Sequence, residues 1–83
     1  MMKMKYIIID SYYYPMAPIL FHPCISHKEM ANNFRAEILS AGFVRIINNE
    51  IEVFGQSTSL GKAPNYEFDV MLIAMTLLEI DEF

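Results

Sequence analysis

The segment 43–54 constrains the fold most, because it specifies a β-hairpin down to its residue pairs. Two apolar runs flank Asn48-Asn49, and asparagine tolerates the left-handed backbone conformation that a two-residue hairpin loop requires. With that loop, each predicted cross-strand pair joins like with like or opposite charges: Ile46 with Ile51, Arg45 with Glu52, Val44 with Val53, and Phe43 with Phe54. A three-residue loop would instead place Arg45 opposite Val53. We therefore predict a hairpin closed at Asn48-Asn49, with residues 38–41 extending its first strand and Gly42 marking a bulge or bend.

The N-terminal third of the chain predicts a second antiparallel pair. Residues 4–14 are rich in isoleucine and tyrosine, which suit a half-buried strand, and Pro15 and Pro18 then break it. A short strand at residues 19–22 would pair back on the first. The predicted element order is β-β-α-β-β-α. We expect one α+β domain over residues 1–83, a small antiparallel sheet with both helices packed on one face.

Both helices are predicted from their N-terminal ends. Ser26 and Glu29 fit a capping box, so a first helix should run from His27 to residues 35–37. A proline stops the chain before a second helix, which Asn65 can cap. This second helix carries two apolar stripes at helical spacing, one of Phe68, Met71, Leu72, Met75 and Leu78, the other of Val70, Ile73 and Leu77. Two stripes predict a helix that is covered on two sides.

Composition limits the expected partners. Apolar residues make up 54% of the 83, which is high for so small a domain, so we expect a homo-oligomer that buries the surplus between copies. The net charge of −4, with six basic residues scattered along the sequence, argues against nucleic acid.

The lone Cys24 favours a reducing, cytoplasmic setting. The apolar run 70–80 falls short of the ~20 residues that span a bilayer, so no membrane is expected. Cys24, His22 and His27 assemble no clear metal site, and no cofactor is expected.

A glycine-bounded loop, Gly55-Gln56-Ser57-Thr58-Ser59-Leu60-Gly61-Lys62, is the candidate site. It does not match a Walker A loop, because five residues separate its glycines and alanine follows Lys62. It does not match a nucleophile elbow either, because Ser59 stands where that turn needs glycine. A Ser57–His27 pair lacks an orienting residue, so we predict no catalytic residue. Two interpretations stay open: an anion-binding concavity and a purely structural turn. The predicted ligand-binding residues are Ser57, Thr58, Ser59, Gly61, Lys62 and His27.

Several of these segments together resemble a family of small phage- and prophage-encoded proteins. The residues that carry the resemblance are Ile19-Leu20-Phe21, His27, Met30-Ala31, Ser40-Ala41-Gly42-Phe43, the block from Gly55 to Gly61, and Asp69. The shared pattern is a histidine, Ala-Gly-Phe, Gly-x-Ser-x-Ser-Leu-Gly, and an aspartate in a terminal helix. Between Gly61 and Asp69 the family carries a basic residue, for which only Lys62 can substitute here. The resemblance implies a phage accessory protein acting in the cytoplasm of an infected bacterium, and it implies no activity.

The sequence therefore leads to two expectations about function. The first is a non-enzymatic, oligomeric phage accessory protein that binds a small anionic, nucleotide-like ligand through the 55–62 loop and so counters host defence. The alternative is a protein-interaction module whose apolar and tyrosine-rich surface blocks or remodels a host protein. An enzyme with a serine nucleophile, Ser57 or Ser59, is the third possibility.

Overall fold

Four antiparallel strands form one sheet in the order β2-β1-β3-β4, and two helices pack against it. The computed structural model describes residues 2–81, with the side chains of residues 3–78. In chain order the elements are β1 (Met2–Asp10), β2 (Ala17–Phe21), α1 (His27–Ala31), β3 (Glu37–Ile47), β4 (Glu50–Phe54) and α2 (Tyr66–Asp81). The fold is thus α+β, as predicted. β1 ends at Asp10, several residues before the predicted end of that strand. No helix within residues 2–81 has the length and apolar character needed to cross a membrane.

The β3–β4 hairpin confirms the predicted register. Its cross-strand partners are Phe43 with Phe54, Val44 with Val53, Arg45 with Glu52, and Ile46 with Ile51. Asn48 and Asn49 connect the strands with φ of 52° and 66°, the left-handed conformation that a two-residue loop needs. The prediction that residues 38–41 extend the first strand is also confirmed, since β3 begins at Glu37.

The helices lie on opposite faces of the sheet, so the prediction that both pack on one face was wrong. One buried cluster joins Tyr6 and Ile8 of β1 to Ile73 of α2. A second cluster joins Ile7 and Ile9 of β1 to α1: its buried members are Ile7, Ile9, Phe21, Ala31 and Ala41. Successive side chains of a strand point to opposite faces. Because residues 6–9 are all fully buried, β1 requires cover on both sides, and each helix supplies one.

α1 begins as predicted and ends early. The Ser26 hydroxyl accepts the Glu29 backbone N–H over 3.0 Å, which confirms the N-cap. The helix nevertheless stops at Ala31, whereas the sequence predicted an end at residues 35–37. Phe34 and Ala36 still pack against the same cluster from the segment that follows. Their apolar character therefore reflects burial beyond the helix and not a continuing helical face.

The irregularity in β3 lies at Leu39 and not at Gly42. Ile8 is opposite Ser40 and Ile9 is opposite Ile38, which leaves Leu39 as the extra residue of a bulge. Gly42 is regularly paired. It is small for another reason: a Cβ there would lie 2.8 Å from Pro64 Cγ and 2.9 Å from the Phe54 carbonyl oxygen.

α2 is covered on one side within a single chain. Ile73 is fully buried, and Val70, Leu72 and Leu77 pack with it on the sheet. The other stripe is largely in solvent, with Met71, Met75 and Leu78 exposed by 49%, 53% and 63%. The predicted cover on two sides is therefore absent from the described part of one chain.

Candidate functional site

The 55–62 loop is a tight turn closed by its own backbone. The Ser57 N–H donates to the Lys62 carbonyl over 2.8 Å, and the Lys62 N–H donates to the Ser57 carbonyl over 3.2 Å. Gly55 and Gly61 adopt φ of 70° and 66°, values that residues with a side chain rarely take. A Cβ on Gly55 would also lie 2.8 Å from the Phe43 ring. The two glycines are thus explained by the shape of the turn and its contact with β3.

Ser57 is used inside this turn. Its side chain is only 2% exposed, and its hydroxyl accepts the Leu60 N–H over 3.2 Å and lies 3.4 Å from the Ser59 hydroxyl. Serine hydroxyls commonly hold turns in this way. Since the N–H groups of Ser57, Leu60 and Lys62 are all paired within the turn, they are not directed at a ligand. The predicted ligand-binding side chains that do reach solvent here are Thr58, Ser59 and Lys62.

His27, the remaining predicted site residue, is held elsewhere. It is buried, and its Nε2 donates to the Gly42 carbonyl over 2.8 Å. Phe21 and Phe43 contact the imidazole edge-to-face on two sides, each with ring centroids 5.5 Å apart. Burial lowers the pKa of His27, and the nearby Lys5 lowers it further, which outweighs the hydrogen bond to Gly42. His27 therefore ties α1 to β3 as a neutral imidazole, and it makes no hydrogen bond to Ser57.

A buried polar network joins α2 to the sheet, and sequence reasoning missed it. Asp69 is fully buried and accepts three hydrogen bonds: from the Tyr6 hydroxyl over 2.6 Å, the Ser40 hydroxyl over 2.9 Å and the Asn65 N–H over 2.9 Å. Burial, followed by the hydrogen bond to Asp69, raises the pKa of Tyr6. In the sequence, Asp69 is the aspartate of the phage-protein pattern, and no partner was predicted for it. Ser40 reaches this face by the regular alternation of β3, because it lies opposite Ile8, which belongs to the same buried cluster as Tyr6.

Basic and aromatic side chains lie on the same face of the sheet as α1, in the part of that face that α1 does not cover. Arg45 lies between Lys3 on β1 and Glu52 on β4 in one cross-strand row, and it forms an ion pair with Glu52. In the next row, Phe43 lies between Lys5 and Phe54. Residues opposite one another in register point to the same face. We call this set the sheet-face patch: Lys3, Lys5, Phe43, Arg45 and Phe54.

The described residues contain no group of three or more histidine, cysteine, aspartate or glutamate side chains arranged to hold a metal ion. Comparison with protein-family models, with curated proteins and with solved structures finds no match for this chain. Arguments about function therefore depend on the arrangement of its own residues.

Proposed function

We propose that this chain is a non-enzymatic interaction module that acts by binding another protein chain through the outer face of α2. The observation that carries the proposal is the exposed apolar stripe of that helix, to which Met71, Met75 and Leu78 belong. We call the surface formed by Met16, Met71, Met75 and Leu78 the Met face; each of these side chains is between 45% and 63% exposed. Exposed apolar patches of this kind are typical of interaction sites, and methionine adapts to irregular partners.

The Met face continues into a groove of about 340 Å³ between α2 and the turn before β2. Met75, Leu72 and Thr76 line it from the helix, and Pro15 and Met16 are among the residues that line it from the turn. The Met face and this groove lie side by side, so the Met face of one copy can enter the groove of another, as a self-complementary interface requires. The partner that we propose is accordingly a second copy of this chain, with α2 of each copy packed against the groove of the other.

Sedimentation velocity over a range of protein concentrations tests this proposal. We expect the wild-type chain to sediment as an oligomer and Met75→Lys to sediment as a monomer with unchanged circular dichroism. Thr58→Lys, which also adds a cation at an exposed position, is the matched control and should stay oligomeric. A wild-type monomer at every concentration would contradict self-association. If that monomer captures a bacterial protein, and Met75→Lys abolishes the capture, the Met face serves a host partner instead, as the resemblance to phage proteins suggests.

A second candidate function is the binding of a small anion at the 55–62 loop. The observation that favours it is the exposure of Thr58, Ser59 and Lys62 on one short turn. Calorimetry with inorganic phosphate tests it, because Lys62→Gln should weaken binding and Lys28→Gln should not. Equal heats for the two variants would leave the loop as a structural turn.

A further inference from the structure

We propose that the sheet-face patch binds a nucleotide, with the base against Phe43 and Phe54 and the phosphate between Lys3 and Arg45. The proposal goes beyond the interaction module described above, because the patch lies on the opposite face of the sheet from α2. Its ligand chemistry is a planar ring joined to a phosphate. A free nucleotide and a nucleotide within a single strand share that chemistry.

Positive charge is concentrated on the sheet-face patch. Three of the six basic side chains of an otherwise acidic protein meet on this patch. Lys3 and Arg45 are direct cross-strand partners, a placement that is destabilising for like charges. Glu52 pairs with Arg45 from the other side, but no carboxylate among the described residues forms an ion pair with Lys3. A bound phosphate would relieve the repulsion between Lys3 and Arg45.

The aromatic rings of the patch are arranged side by side and are partly exposed. Phe43 and Phe54 are stacked, with centroids 5.7 Å apart and an angle of 24° between the ring planes. Both are only partly buried, because the five-residue α1 packs over β1 and leaves this part of the face uncovered. Apolar side chains on a sheet face normally require cover. Partly exposed aromatics flanked by cations are the usual surface for stacking bases.

The cations of the patch are held against its aromatic rings. The Lys3 ammonium lies 5.0 Å from the Phe43 centroid and 5.7 Å from the Phe54 centroid, and the Arg45 guanidinium lies 4.6 Å from the Phe54 centroid. Both cations therefore lie over the ring faces, and a base that stacks there turns them outward toward its own phosphate. The Nε–H of Arg45 is buried and has no hydrogen-bond partner among the described residues. A buried donor without an acceptor needs an explanation, and a phosphate oxygen supplies one once the guanidinium has turned outward.

Lys5 has a supporting role. Its ammonium donates to the Ile25 carbonyl over 2.9 Å and lies 6.0 Å from the Phe43 centroid. It is thereby fixed at the edge of the patch and adds positive potential without moving. Lys3 is exposed and can turn toward a phosphate, so Lys3 is the residue to test first.

Calorimetric titration with AMP, with inorganic phosphate and with a short single-stranded oligonucleotide tests the proposal. We expect AMP or the oligonucleotide to bind the wild-type chain more tightly than phosphate does. Lys3→Gln should weaken that binding about tenfold, as expected for one charge-assisted hydrogen bond, whereas Lys28→Gln should leave it unchanged. Phe54→Leu should weaken binding of AMP about fivefold or more and leave phosphate binding unchanged, since only the base stacks.

The outcomes separate the sources of the ligand and the competing explanations. Binding of AMP indicates a free nucleotide, and binding of the oligonucleotide alone indicates a nucleotide within a strand; both support the proposal. The absence of binding by either at about 1 mM overturns it, because any affinity would then be weaker than about −4 kcal/mol. Phosphate binding as tight as AMP binding, or an equal loss in Lys3→Gln and Lys28→Gln, overturns it as well. The sedimentation test of the Met face is unaffected by any of these results.

Discussion

Replacement of Asp69 by alanine should destabilise the fold more than any other single change to a polar residue discussed above. The substitution leaves the Tyr6 and Ser40 hydroxyls buried without their acceptor, because both side chains are almost completely inaccessible to water. Each orphaned buried group costs about 1–3 kcal/mol. The Asn65 N–H adds little, since Asn65 is exposed and its N–H can bind water. We therefore expect a loss of about 2–6 kcal/mol from a total that for small domains is about 5–15 kcal/mol.

Asp69→Asn is the matched control because it preserves the shape of the side chain. Its amide oxygen can take the place of Oδ2 and accept from Tyr6 and Asn65. Its amide nitrogen can donate to Ser40 after the serine hydroxyl rotates. Only the charge assistance is lost, so we expect a cost of about 1–2 kcal/mol. The measurement is urea unfolding of both variants, followed by circular dichroism. Equal destabilisation by asparagine and alanine, or an alanine variant within about 0.5 kcal/mol of wild type, would refute the reasoning.

Three further predictions follow from groups described above. Because the pKa of Tyr6 is raised above its ordinary 10.0, the hydroxyl proton is lost at a lower pH in the unfolded chain than in the folded one. Folding stability should therefore fall by about 1.4 kcal/mol per pH unit as pH rises past 10.0. Urea unfolding of Tyr6→Phe should lack this decline. Because the pKa of His27 is lowered from 6.5, the neutral imidazole contributes fully to folding stability above that pH, and this contribution is lost as pH falls below it. His27→Gln should therefore flatten the acid side of the profile of stability against pH. An unchanged slope would contradict a buried neutral imidazole. Gly42→Ala should cost about 1–3 kcal/mol in thermal unfolding, because its methyl group would overlap Pro64 and the Phe54 carbonyl; an unchanged Tm would show that Pro64 gives way freely.

Local signals were sufficient for the hairpin and for the start of α1. The β3–β4 register depends on a two-residue loop and on neighbouring pairs, all within twelve residues of sequence, and the Ser26 cap depends on the four residues from Ser26 to Glu29. The placement of the helices depends on contacts between residues that are far apart in the sequence. The continuous apolar run of residues 6–9 is the pattern of a strand that is buried on both faces, and the one-face prediction did not use it. The run does not show which helix covers which face, because that depends on how the distant segments pack.

In the candidate sites, too, the sequence indicates the local features, and only the structure shows the contacts between distant residues. The glycines of the 55–62 loop were recognisable as turn residues, but only the structure shows that the Ser57 hydroxyl is hydrogen-bonded within the turn. The sheet-face patch could not be predicted, because Lys3 and Arg45 are far apart in sequence and become neighbours only through the β1–β3 register. The expectation that nucleic acid is excluded assumed scattered cations. In the folded chain, three of the six basic residues lie on one face.

The central position of β1 has a consequence for how the chain reaches this fold. β2 can join β1 early, as a local hairpin, but the other edge of β1 stays open until β3 arrives from residues 37–47. During that interval, Tyr6-Ile7-Ile8-Ile9 presents an unpaired, uncharged edge with high β-propensity, which invites pairing between chains. Lys3 and Lys5 lie directly before this segment and oppose such stacking by their charge. The two lysines would then protect the unfolded chain from aggregation, and refolding yield should depend on them more steeply as protein concentration rises.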